Sequence, residues 1–81
     1  MLAKVYVTLK QGVLDPQGQA VQSALKRLGH GNVGDVRQGK YFEINLTTSS
    51  VDSAREDIKA ACEQLLANTV IEDYRVEVES A

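Results

Sequence analysis

Within this 81-residue chain the run IEDYR sets two carboxylates, a phenol and a guanidinium side by side: Glu72, Asp73, Tyr74 and Arg75. General acid–base chemistry needs a carboxylate in a dry pocket with a shifted pKa. Adjacent residues of an extended chain point to opposite faces, so Glu72 and Asp73 do not form a facing pair there. Two readings of the run stay open: a solvated junction, or a docking surface in which carboxylates and Arg75 make charge-assisted hydrogen bonds to a partner. Nucleophilic catalysis needs a nucleophile, a base and an orienting group. The chain offers one cysteine, Cys62, and one histidine, His30. Cys62 falls on the apolar stripe of a helix, as a small hydrophobe does. His30 follows a helix-ending glycine, where a cation is favoured. One Cys and one His far apart make no zinc or copper site.

The elements that position these residues are legible from periodicity. Residues 2–10 alternate, with Val5, Val7 and Leu9 on one face and Lys4, Tyr6 and Thr8 on the other, as a half-buried strand does. Asp15 suits an N-cap and Pro16 the first helical position. Val21, Ala24, Leu25 and Leu28 then form one helical stripe, and Gly29 suits the left-handed residue that ends it. VGDVRQGKYFEINL reads as a hairpin turning at Gly39, with Phe42, Ile44 and Leu46 inward. A second helix is capped by Ser49 or Ser50. Its stripe is Val51, Ala54, Ile58, Ala61, Cys62 and Leu65, and Asn68 is its left-handed cap. On that stripe, Leu65→Ala should cost about 2–5 kcal/mol. The last strand carries Tyr74, Val76 and Val78 on one face and Arg75, Glu77 and Glu79 on the other.

This order, β-α-β-β-α-β, predicts an α+β fold over a single domain, residues 1–81. It is the two-layer ferredoxin-like sandwich, with an antiparallel four-stranded sheet and two helices on one face. Tyr6 and Tyr41 would share the open face of the sheet, which suggests a covering partner. An RNA-binding version of this fold stacks bases on such aromatics. The glycine, phenylalanine and basic pattern that goes with it is absent, and the net charge is -2, so no nucleic acid is expected. QGVLDPQGQ lacks the spacing of a phosphate-binding loop, and its aspartate repels phosphate. Acylphosphatases share the topology but need an arginine in the loop KQGVLDPQ, which has none. No run is apolar enough to span a membrane, and MLAKVYVTLK is read as a strand rather than a signal peptide. A lone cysteine fits a reducing, cytoplasmic setting. A stand-alone small-ligand-binding regulatory domain of this fold is the alternative reading. So short a chain buries a modest fraction of its surface, for which oligomerisation is an ordinary remedy.

Three blocks, KVYVTLKQGVLDPQGQAV, DVRQGKY and LLANTVIEDYRVEV, closely resemble the PurS family, the small subunit of phosphoribosylformylglycinamidine synthase in purine biosynthesis. The resemblance implies a chain without catalytic residues or cofactors of its own. It would bridge a glutaminase subunit and a large synthetase subunit, which uses ATP and magnesium, and assist ammonia transfer between them. The complex converts formylglycinamide ribonucleotide to its amidine with ATP and glutamine. The resemblance also implies a homodimer or tetramer. It places the partner interface in the matching blocks: Arg37, Gly39 and Lys40 at the expected hairpin, and Asn68, Thr69, Glu72, Asp73, Tyr74 and Arg75 at the last junction.

Overall fold

A computed structural model of the chain describes residues 1–79. Three strands and two helices follow in the order β1 (Leu2–Leu9), α1 (Pro16–Arg27), β2 (Gly39–Asn45), α2 (Val51–Ala61) and β3 (Glu72–Glu79). A single turn of π-helix, Cys62–Leu66, continues α2. The sheet runs β2-β1-β3, with β1 central and antiparallel to both neighbours. Alternation along β1 sends Ala3, Val5 and Val7 inward, and all three are fully buried. Ile58 and Cys62 of the α2 face cover them, together with Ala67. Phe42, Ile44, Leu46, Leu66, Tyr74 and Val76 pack around this nucleus while staying partly exposed. The fully buried side chains are small, Val5, Val7 and Cys62 being the largest among the described residues. Burying a valine stabilises by roughly 1.5–3 kcal/mol, so the core of one copy is thin.

The local signals at the helix ends act as their chemistry requires. The Asp15 carboxylate accepts the Gly18 N–H at 2.8 Å, capping α1 behind Pro16. At its other end Gly29 is left-handed, with φ 102°. Its N–H bonds the Lys26 carbonyl at 3.1 Å, and that of His30 the Leu25 carbonyl at 3.0 Å, a Schellman closure. Ser50 caps α2 by accepting the Ser53 N–H at 3.2 Å.

Three expectations are corrected. The sheet has three strands among the described residues, not four. The run expected to form the first arm of a hairpin has its polar groups engaged elsewhere. The Gln38 N–H donates to Asp15 Oδ2 at 2.9 Å, and Arg37 donates to the carbonyls of Leu9 and Lys10. Gly39 accordingly opens β2 opposite Thr8 instead of turning a hairpin. A Cβ there would collide with the Val7 carbonyl oxygen, so this glycine permits close approach of two strands. Second, the two helices do not share one face of the sheet. No residue of α1 belongs to the core, and Leu28 is 76% exposed. Eight strand residues span about 27 Å and twelve helical residues about 18 Å. Together these match the 48 Å long axis of the molecule, so α1 projects beyond the sheet as an arm.

The third correction concerns phase. The Ala67 N–H bonds the Cys62 carbonyl at 3.0 Å, five residues back. This π turn inserts an extra residue into the helical count. Leu66 therefore packs on the core, while Leu65 is 82% exposed. Asn68 is not left-handed, since no described non-glycine residue has positive φ. It organises a turn instead: its Oδ1 accepts the Val70 N–H at 3.2 Å, and its carbonyl accepts those of Ile71 and Glu72.

Candidate functional site

The β1 register gathers most of the expected interface residues at one end of the sheet. Thr8 lies opposite Gly39 and Asp73, and Leu9 opposite Glu72. Lys40, one residue into β2, reaches across to Glu72 with Nζ 3.5 Å from Oε2, and also donates to the Leu66 carbonyl at 3.3 Å. The Glu72 carboxylate accepts the Asn68 N–H at 2.7 Å. Glu72 thus fastens the turn after α2 to both outer strands. It is a clamp with its oxygens engaged rather than a free base. Asp73 points to the other side, within 3.9 Å of Lys10, and Thr69 sits in the exposed turn. Arg37 joins this end through its bonds to the carbonyls of Leu9 and Lys10.

A cleft of about 590 Å³ opens here between the β1–α1 loop and the start of β3. Val13, Leu14, Pro16 and Ile71 give it apolar walls, with Lys40 and Glu72 at its edge. Leu14 is 65% and Val70 82% exposed. Leu65 and Val70, flanking the Asn68 turn, extend the exposed apolar surface at this end. Such large apolar side chains in solvent, rimmed by charge, make this end the candidate interaction surface.

Tyr74 and Arg75 part company, as strand alternation demands. Tyr74 faces the helix layer, donating its hydroxyl to Glu63 at 3.1 Å. Burial, and then the Glu63 carboxylate, push its phenol pKa up. Arg75 lies on the open face, its guanidinium 4.2 Å from the centre of the Tyr6 ring. Tyr6 in turn meets Tyr41 at 5.0 Å between ring centres. One row across three strands, Tyr41, Tyr6 and Arg75, therefore forms an aromatic and cationic platform. Glu43 accepts the Tyr41 hydroxyl at 3.0 Å, and Glu77 pairs with Arg75. The nine expected residues thus divide between an end cluster and two sheet faces.

Nothing in this arrangement couples a nucleophile to a base. The Cys62 thiol is buried, and burial followed by Glu63 raises its pKa, which disfavours the reactive thiolate. No three His, Cys, Asp or Glu side chains among the described residues converge as metal ligands. Periodicity missed Asp15, whose carboxylate ties α1 to the run before β2; its pKa is lowered by the Gln38 and Gly18 amides. The N-cap signal named the residue, but its long-range partner carries no local signature.

The family model described as PurS, phosphoribosylformylglycinamidine (FGAM) synthase, matches residues 2–80. A Bacillus subtilis phosphoribosylformylglycinamidine synthase subunit PurS is 58% identical over 94% of this chain and 89% of its own. A solved PurS from Methanocaldococcus jannaschii superposes with a TM-score of 0.90 at 39% identity, over 99% of this chain and 96% of that one. A chain from a structure of PurLQS from Thermotoga maritima gives 0.82 at 32% identity, covering 95% and 96%. With the match running from the first strand through the last, this chain belongs to the PurS family of FGAM synthase subunits.

Proposed function

We propose that this chain bridges the glutaminase and synthetase subunits of FGAM synthase and assists the passage of ammonia between them. As a PurS-family member it is a non-catalytic subunit of that purine-biosynthetic enzyme. The observation that carries the bridging role is the end cluster: exposed Leu14, Leu65 and Val70 around a charged rim. Ammonia in water becomes ammonium, which is no nucleophile. A subunit that seals the gap between two active sites keeps it neutral by excluding water. The apolar cluster and the Tyr41–Tyr6–Arg75 platform lie on different surfaces, which suits a chain that touches more than one neighbour. ATP and magnesium belong, on this reading, to the synthetase subunit. The setting is the cytoplasm, and the chain self-associates as a homodimer or tetramer.

The test is to assay the larger subunits with and without this chain, supplying either glutamine or free ammonia. The glutamine-driven rate should require the chain, while the ammonia-driven rate should depend on it far less. A glutamine-driven rate indifferent to the chain would overturn the bridging role.

A further inference from the structure

Leu65 and Val70 are each 82% exposed, the most exposed large apolar side chains among the described residues. They flank the turn between the π-helical end of α2 and the start of β3, and that turn is closely fastened. The amides of Ala67, Asn68, Val70, Ile71 and Glu72 all donate: Ala67 to the Cys62 carbonyl, Asn68 to Glu72 Oε1, Val70 to Asn68 Oδ1, and Ile71 and Glu72 to the Asn68 carbonyl. The Ile71 carbonyl accepts the Lys10 N–H at 2.8 Å, which ties the turn to the end of β1. Water could satisfy these groups in so exposed a segment, so their bonding adds little net stability. Its effect is to remove conformational freedom from the backbone that carries Val70. A loop ordered before it meets a partner avoids the entropic cost of ordering on binding.

One ion pair sits at the centre of this fastening. The Glu72 carboxylate holds the Asn68 amide at 2.7 Å and faces Lys40 of β2 at 3.5 Å, with its side chain 15% exposed. Lys40 also reaches the Leu66 carbonyl at 3.3 Å, next to Leu65. The pair therefore links both flanks of the turn to the two outer strands. The rim charges answer one another, Lys40 with Glu72 and Lys10 with Asp73, which leaves these pairs neutral. A surface that meets Leu65 and Val70 between neutral pairs needs apolar side chains rather than a countercharge. We infer that Glu72 and Lys40 are positioning residues. They hold the Asn68 turn so that Leu65 and Val70 stand as preformed knobs, which seat against an uncharged apolar surface of one of the larger subunits. The inference rests on the bridging role in the proposed function, and names the side chains that make the contact and the pair that aims them.

The test measures binding of the full chain to the larger subunits by interferometry. Val70→Ser should weaken it at least about tenfold, as loss of a central apolar contact does. Glu72→Ala should weaken it about fivefold, yet add less than about twofold to Val70→Ser, because a loosened turn matters only while it carries its knob. Lys40→Met keeps the exposed stem of the side chain, and serves should Glu72→Ala fail to fold. In either variant the Val70 and Ile71 amides should exchange with solvent faster than in the wild type, while Val70→Ser should self-associate normally by sedimentation. Glu72→Ala and Lys40→Met chains that bind like the wild type, or whose losses multiply fully with that of Val70→Ser, overturn the positioning role. A Val70→Ser chain that binds at full strength, or loses self-association instead, overturns the apolar contact. The glutamine and ammonia rates decide the bridging role separately.

Discussion

Leucines 65 and 66 separate the observed fold from the one a regular helix would build. Leu→Ala removes about two to three buried carbons' worth of transfer energy at about 0.8 kcal/mol per methylene. Leu66 packs on the core from a partly exposed position, so its truncation should cost about 2 kcal/mol, at the low end of the range for buried leucines. Leu65 is 82% exposed, and its truncation should change stability by less than about 0.5 kcal/mol. For a domain of this size 1 kcal/mol moves the melting temperature by about 4–8 °C. Leu66→Ala should therefore melt about 8–16 °C lower, and Leu65→Ala within about 4 °C of the wild type. Both are to be measured by thermal and urea unfolding at one protein concentration, since association raises apparent stability. Equal losses in the two variants would refute the π turn and restore an unbroken α-helical stripe through Leu65.

Four further outcomes are expected. Arg75→Ala should keep the fold, because Arg75 stands on the open face over Tyr6, and should weaken co-elution with the larger subunits; unchanged co-elution removes Arg75 from the interface. Asp15 has a lowered pKa, so the stability it contributes is present above its ordinary value of 3.8 and is lost as pH falls through the lower folded value. Asp15→Asn should therefore flatten the acid limb of a stability–pH curve, and an unaltered limb would show that the Gly18 and Gln38 bonds contribute nothing. Cys62 should resist an aromatic disulfide reagent until urea unfolds the chain, given its burial and raised pKa; fast labelling of the native protein contradicts both. Gly39→Ala should unfold at lower urea, because its methyl meets the Val7 carbonyl oxygen and parts β2 from β1; a neutral result would mean the strands are less closely apposed there.

Much of the local structure was legible from side-chain period and cap chemistry. Val5 and Val7, Phe42 and Ile44, and Tyr74 and Val76 all face the side their alternation assigns, because a strand has one register per face. Asp15, Gly29 and Ser50 end their helices as expected, since caps depend on neighbours within a few residues. The pairing of Tyr6 with Tyr41 followed from both lying on the open face of adjacent strands. Of the candidate interface, the separation of Tyr74 from Arg75 was legible for the same reason. The joining of Lys40, Asn68 and Glu72 was not, since it needs a turn and two outer strands to arrive together.

What the sequence determined by itself was composition of faces: which residues alternate, which helices are amphipathic and where most of the caps fall. The tertiary structure decided where those faces go. The run through Val36 to Gln38 has strand-like residues, yet the distant Asp15 takes its Gln38 N–H and Arg37 within it reaches back to the Leu9 and Lys10 carbonyls, and the described residues form three strands instead of four. The α1 stripe is drawn correctly and still touches no core residue, because its direction is set by the clasp at Asp15 and Gly18. A stripe encodes that a surface must be covered; only long-range contacts decide whether the same chain can cover it.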